Sequence, residues 1–268
     1  MKYIRLLVLG YVLLCALFYA YQQVFFFSPE PLNADHSYTF TGKLRHVATP
    51  LVFDAGTQIE LVRFLPNDTN ARPKGVVLFF HGNKSNVEHY GRYAPFFTRH
   101  GYEVWMPDYP GFGKSTGELT EAILYEIAEQ VYKMARVNFA ANQVVVYGKS
   151  LGTGIAAQLA ARRSCRHLLL ETPYYSLESL ARTYAPILPV GLLLKFNLQT
   201  AAHLPQIEAP VTVFAAGHDE VIRPDNTLKL LPLLKPADNW YFLPQANHNG
   251  VPDYPQYHKA IAQICASK

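Results

Sequence analysis

The sequence predicts an α/β domain built on a mostly parallel central sheet with helices on both faces, preceded by an N-terminal transmembrane helix. Three observations carry this. From Gly75 onward, short, wholly apolar runs alternate with helix-length amphipathic ones, the pattern of parallel strands joined by crossover helices. Half of the 268 residues are hydrophobic and only 16% are charged, which excludes a disordered chain and suits strands covered on both faces. Ahead of Pro29 lies an apolar stretch whose only charges, Lys2 and Arg5, stand at its start.

That stretch runs from Leu6 to Ala20 and continues through Tyr21 and, past Gln22 and Gln23, from Val24 to Phe27. As a helix it reaches about 30 Å, enough to span the hydrocarbon of a bilayer. An uncleaved anchor and a removable signal peptide compete here. Cleavage needs small residues at positions −3 and −1, and with Ala20 at −1 the −3 position holds Phe18. Leu14 before Cys15 likewise argues against a lipoprotein site. The anchor is therefore preferred, giving a membrane segment over 1–28 and a single folded domain over 29–268, a length suited to one core. Lys2 and Arg5 should stay cytoplasmic, sending the domain to the non-cytoplasmic side, periplasmic in a bacterium.

Residues up to about Leu65 alternate apolar and polar around turn signals such as Asp54-Ala55-Gly56 and read as opening antiparallel strands. The expected parallel strands are Val76–Phe80, Val104–Pro107, Val144–Tyr147, His167–Leu170, Val211–Ala215 and Trp240–Leu243. The clearest helix is Leu119–Val137, where Ile123, Ile127, Val131 and Met134 recur at helical spacing. Pro66–Lys74 reads as a loop. Open sheets of this kind bind ligands beyond the carboxyl ends of their strands, so the residues after each strand are the candidates.

A Gly-x-Ser-x-Gly turn can hold a serine proud of such a sheet, the glycines being required because side chains would clash. The pattern occurs twice, at Gly113–Gly117 around Ser115 and at Gly148–Gly152 around Ser150. Ser150 directly follows Val144–Tyr147 and precedes the small-residue run Thr153–Ala160, giving strand, turn and helix. Ser115 is separated from its strand by the Pro/Gly loop Asp108–Gly113 and reads as a loop serine capping the following helix. Both motifs contain Gly-Lys-Ser, but a phosphate-binding loop needs another glycine where Asp108 and Gln143 stand.

A serine hydroxyl needs a base, and the expected chain order is serine, acid, histidine. Only His248 and His258 come late enough. His248 follows the strand Trp240–Leu243, whereas His258 falls in a terminal helical stretch. Asp219 follows the strand Val211–Ala215 and would orient the imidazole, with Glu220 the nearest competitor and Asp225 and Asp238 read as solvated. The backbone N–H of Leu151 and one from the turn His81-Gly82-Asn83 would hold an oxyanion. Asn83 is preferred and Lys84 is the alternative, each donor being worth about 3–4 kcal/mol of transition-state stabilisation. His81 shapes that turn, since no second histidine at metal spacing faces it. No metal or cofactor is expected.

Taken together, His81-Gly-Asn83, Asp108-Tyr-Pro-Gly-Phe-Gly-Lys-Ser115, Gly148-Lys-Ser-Leu-Gly152, Glu171–Ser176, Gly217-His-Asp219 and His248-Asn249 resemble the small membrane-anchored α/β hydrolases related to monoacylglycerol and lysophospholipid lipases and to protein depalmitoylases. The resemblance runs from about residue 45 to the C-terminus. Pro110 stands where many relatives carry Arg, and Asn247 where Gly usually precedes the histidine. It implies the α/β-hydrolase fold and hydrolysis of a small-molecule or lipid ester or thioester. Peptidase activity of aminopeptidase type and a catalytically silent, membrane-tethered binding protein are the alternatives. A net charge of +4 without a dense basic run gives no footprint for nucleic acid. Cys15, Cys165 and Cys265 form no Cys-x-x-Cys pair and are expected to be free, although an oxidising compartment would permit a Cys165–Cys265 bridge. Between Glu171 and the Val211 strand there is no room for a large lid, and the apolar run Pro186–Phe196 reads as a helix packed on the sheet or as a wall for an acyl chain.

Overall fold

The computed structural model describes residues 1–68 and 71–266. The chain opens with α1 (Lys2–Phe26), whose most apolar window has a mean hydropathy of 2.0 and is not buried by the rest of the protein. By length and composition it can cross a membrane. Next come β1 (Ser28–Pro29), β2 (His46–Val52), β3 (Gln58–Phe64), β4 (Gly75–Phe80) and β5 (Lys84–Ser85). After α2 (Val87–Tyr90) and α3 (Pro95–Thr98) follow β6 (Tyr102–Pro107), α4 (Glu121–Asn138), β7 (Val144–Lys149), α5 (Gly152–Arg162) and β8 (His167–Glu171). The last part holds α6 (Leu177–Tyr184), α7 (Val190–Leu193), α8 (Thr200–His203), β9 (Val211–Ala216), α9 (Pro224–Leu228), β10 (Asn239–Leu243) and α10 (Pro255–Ala266).

The main sheet has the order β10-β9-β8-β7-β4-β6-β3-β2. All pairings from β10 to β6 are parallel, while β3 pairs antiparallel with both β6 and β2. The β2–β3 hairpin turns where expected: the Asp54 carboxylate accepts from Gly56 N and Thr57 N, both at 2.8 Å. Every residue of β4 and β7 is buried. Leu124, Ile127 and Val131 of α4 and Ile155 and Leu159 of α5 fill one face of the sheet; Phe97 of α3 and Tyr257, Ile261 and Ile264 of α10 fill the other. This confirms the mostly parallel sheet with helices on both faces. The chain leaves β4 toward β6 on one side and returns as β7 on the other, so a crevice opens at their carboxyl ends.

Several local expectations are corrected. The helix expected over Leu119–Val137 begins at Glu121 because Thr120, not Ser115, caps it: Thr120 Oγ1 accepts from Ile123 N at 3.2 Å. Asp238, read as solvated, closes the loop into β10 by accepting from Val211 N at 2.9 Å and Lys235 N at 2.8 Å. Pro186–Phe196 is not a helix on the sheet; it contributes the single turn α7, which packs with Leu188 and Ala181 against Cys15, Phe18 and Phe26 of α1. Two residues of the Pro66–Lys74 loop lie outside the described part of the chain. The three cysteines are unbridged, and burial pushes the Cys165 and Cys265 thiols up to about 12, leaving them protonated.

An ionic network that the sequence analysis missed lies inside the sheet. Lys149 Nζ is 2.7 Å from Glu171 Oε1, with both side chains at most 1% exposed. Tyr93 donates to the same oxygen at 2.9 Å, and Tyr147 donates to the other. Burial and the Glu171 charge push both phenols well above their ordinary range, which keeps them as donors. Removing one charge strands the other in low dielectric, which typically costs about 3–5 kcal/mol. Lys149→Met should therefore destabilise the protein by about that amount in chemical denaturation in detergent, and adding Glu171→Gln should recover part of the loss. Independent, additive losses would contradict the coupling.

At the start of β8, burial pushes His167 down from 6.5 to about 4 while its Nε2 contacts Thr212 Oγ1 at 2.8 Å. The folded protein holds this ring neutral while the unfolded chain protonates it, so its contribution is complete above about pH 6.5 and is lost progressively as the pH falls toward about 4. His167→Gln should remove about 2–3 kcal/mol of the stability lost between roughly pH 7 and 4.5. Parallel wild-type and variant curves would refute this.

Candidate active site

The turn between β7 and α5 lies in the crevice. Ser150 adopts φ 50°, a left-handed conformation costly for a residue with a side chain. The turn is held on both sides: Ser150 N donates to Glu171 O at 2.9 Å, and its carbonyl accepts from Thr153 N at 2.9 Å and Thr153 Oγ1 at 2.7 Å. The flanking glycines are sterically required. A Cβ at Gly148 would lie 2.6 Å from Gly152 O and Thr153 Cα, and one at Gly152 would strike the Phe80 carbonyl. The hydroxyl therefore stands at the N-terminus of α5, where the helix dipole favours negative charge.

Across the crevice, His248 lies on the loop after β10 and Asp219 on the loop after β9. Backbone bonds from Gly217 N to Leu243 O at 2.8 Å and from His218 N to Ala246 O at 2.9 Å lock these two loops together. His248 Nε2 is 3.0 Å from Ser150 Oγ, and His248 Nδ1 is 2.8 and 2.9 Å from the two Asp219 oxygens. With the ring proton on Nδ1 facing the carboxylate, Nε2 is left as the acceptor for the serine hydroxyl. Asp219 Oδ1 also accepts from Val221 N at 2.9 Å and Ile222 N at 2.6 Å, which orients the carboxylate independently of the histidine. All three residues are at most 6% exposed, so bulk water competes little with these bonds. Lys149 Nζ donates to His248 O at 3.1 Å, tying the buried ion pair to the histidine loop.

The competing candidates lie elsewhere. Glu220 contacts the His248 backbone, accepting from its N–H at 3.3 Å, and not the ring. Asp225 pairs with Arg223 at 3.3 Å on the surface. His258, on α10, contacts Arg99 at 3.3 Å. Ser115 spends its hydroxyl within the fold, donating to Asp108 O at 2.9 Å and accepting from Glu60 N at 2.8 Å. His81 is fully buried, with Nδ1 2.8 Å from Gly82 O, Nε2 3.2 Å from Asp108 Oδ1 and its ring centroid 4.1 Å from that of Tyr109, a turn-shaping set of contacts. Among the described residues no group of three or more His, Cys, Asp or Glu side chains could hold a metal ion.

Ser150 and His248 open into a cleft of about 1000 Å³, and Leu151, Asn83 and Lys84 line it beside them. A Cβ at Gly82 would lie 3.6 Å from Ser150 Cβ, so the turn after β4 passes directly alongside the serine. Most of the remaining lining is apolar, and most of that apolar part comes from α1 and α6. Sequence patterning missed this wall, because nothing in the composition of α1 marks a face turned to the protein.

A model of the family described as Hydrolase_4, serine aminopeptidase, S33, matches residues 71–190. Among curated proteins, Protein bem46 of Schizosaccharomyces pombe is 28% identical over 203 residues, 71% of this chain and 67% of that one. Alpha/beta hydrolase domain-containing protein 17B of Homo sapiens is 27% identical over 219 residues, 77% of this chain and 70% of the human one. An uncharacterized Mycobacterium tuberculosis protein is 26% identical over 151 residues, 56% of this chain, which spans about half, 54%, of that relative. In three dimensions the chain is similar to a Pyrococcus furiosus esterase, with TM-score 0.66 and 16% identity over 89% of this chain and 97% of the esterase. A thioesterase domain from the curacin biosynthetic pathway superposes with TM-score 0.59 and 16% identity, over 83% of this chain and all, 100%, of that domain. At such identities the structural likeness establishes the fold. Sheet order and structural likeness agree: the chain has the α/β-hydrolase fold, and its sequence is similar to members of that family.

Proposed function

We propose that this α/β hydrolase is a serine hydrolase that cleaves carboxylic esters or thioesters through an acyl-Ser150 intermediate. Residues 1–28 form its membrane anchor and residues 29–268 its catalytic domain, on the non-cytoplasmic side because Lys2 and Arg5 precede the span. The observation that carries the reading is the unbroken hydrogen-bond relay from Ser150 Oγ through His248, at 3.0 Å, to Asp219, at 2.8 Å.

Ser150 Oγ attacks the substrate carbonyl carbon while its proton passes to His248 Nε2. Asp219 keeps the ring oriented and offsets the positive charge that develops on it. The carbonyl oxygen becomes an oxyanion held by the N–H groups of Leu151 and Asn83, at the N-terminus of α5. Collapse breaks the bond to the alkoxide or thiolate, which leaves with the proton from His248. Water then attacks the acyl-serine, giving its proton to His248, and the carboxylic acid departs as Ser150 regains a hydrogen.

Amine recognition, which an aminopeptidase requires, finds no support in the cleft. The charged side chains lining it are Lys84 and Lys149, and among the described residues no Asp or Glu joins them. A silent binding protein has no use for the relay, whose three members are held by separate backbone bonds.

A fluorophosphonate probe should label the wild type and the Ser115→Ala variant and leave Ser150→Ala unlabelled. Hydrolysis of p-nitrophenyl butyrate should fall by about a thousandfold or more in Ser150→Ala. Labelling that persists in Ser150→Ala would refute the nucleophile, and an unreactive wild type would favour the binding-protein reading.

A further inference from the structure

A tether needs only length and apolarity, yet α1 is fastened to the catalytic domain by specific polar contacts. Gln22, near the C-terminal end of α1, is fully buried: its side chain donates to Leu193 O at 2.9 Å and accepts from Lys195 N at 2.7 Å. Higher up the helix, Tyr11 donates to Ile187 O at 2.9 Å. Below it, the Phe27 ring packs 4.8 Å from Phe196. The segment that follows does not lead away from the active site. It becomes β1, which pairs in parallel with β5, so that Ser28 N donates to Asn83 O at 2.8 Å and Glu30 N to Ser85 O at 3.2 Å. The helix is thus continuous with the turn that passes beside Ser150.

The helix also supplies a wall of the cleft. Leu14, Leu17, Phe18, Tyr21 and Phe25 all line it, and at 100° per residue they form one stripe along α1. Leu14 to Phe25 spans about 16 Å of helix, long enough for an extended acyl chain of roughly a dozen carbons. Facing this stripe, α6 contributes Leu177, Leu180 and Tyr184. The lysines of the lining, Lys84 and Lys149, directly follow Asn83 and precede Ser150 in the chain, where an ester carbonyl would sit, whereas α1 and α6 contribute only apolar side chains and the tyrosines Tyr21 and Tyr184. Beside α1 the apolar surface continues: Ile187 is 69% and Leu192 87% exposed, as suits a face set against hydrocarbon.

We propose that α1 is half of the acyl-binding site: its inner stripe receives the long acyl chain of a lipid ester drawn from the bilayer, with the ester carbonyl at Ser150. The proposal rests on Ser150 being the nucleophile and adds to that reading a substrate class and a part for the anchor. The helix selects long chains because the apolar area that buries the chain belongs to the membrane segment, and β1 keeps this wall in register with the oxyanion turn.

The test uses the full-length protein in detergent and the ratio of kcat/KM for p-nitrophenyl palmitate to that for p-nitrophenyl butyrate. Leu17→Trp adds bulk to the inner stripe and should lower this ratio by about tenfold or more. Ala16→Trp adds a larger increment at the same height on the exposed, opposite side of the helix and should leave the ratio at the wild-type value. Fluorophosphonate labelling reports that each variant is folded. If Leu17→Trp is not labelled, Leu17→Ala, which removes wall area without adding bulk, should lower the ratio several-fold. A wild-type ratio in a labelled Leu17 variant, or an equal fall in Ala16→Trp, overturns the acyl wall while leaving the nucleophile intact. A wild type that the probe does not label defeats the serine-hydrolase reading and the acyl site with it.

Discussion

Gly152 presses against the backbone where β4 ends, at the Phe80 and His81 carbonyls, so closely that no side chain fits between them. This contact brings the β7–α5 turn against the turn after β4, at the place where the chain reverses its direction along the sheet. Both strands are fully buried and paired to each other, which fixes where their ends meet. The contact sets the left-handed backbone of Ser150, the approach of Gly82 to the serine and the aim of the α5 N-terminus. A side chain at Gly152 would collide with the Phe80 carbonyl and force the Ser150 turn away from the turn after β4.

Much of this could be read from the sequence because it rests on local rules. Wholly apolar runs placed the six parallel strands to within two residues at each end, since buried parallel strands expose no face to water. Chain order and strand ends picked out Ser150, Asp219 and His248, and the structure brings these three side chains into hydrogen-bond contact. Ser115 shows why the pentapeptide alone was insufficient: the same glycine spacing there serves a loop whose serine bonds to β3 and to Asp108. What could not be read was non-local. Lys149 and Glu171 look like a variable motif residue and a strand terminus until β7 and β8 pair in register and bury them together. Pro186–Phe196 is apolar enough to read as a buried helix, but it packs against α1, more than 150 residues away in the chain, and forms only the single turn α7.

The same non-local packing gives the N-terminal helix its character. An apolar helix is legible as a span from composition alone, whereas its buried Gln22 and its stripe toward Ser150 emerge only once α6 and α7 are folded against it. The two features address different needs. The buried ion pair beside Ser150 holds the histidine loop through the His248 carbonyl, while α1 lines the cleft into which Ser150 and His248 open. One governs the geometry of the relay and the other the company it keeps.

The central claim, a covalent acyl-enzyme on one serine, is met most directly by acid-quenching the protein within milliseconds of mixing with a p-nitrophenyl ester and mapping its peptides by mass. The account predicts an acyl adduct on the peptide containing Ser150 and its disappearance as turnover ends. An adduct on the peptide containing Ser115, or product release with no adduct at any time, would contradict it.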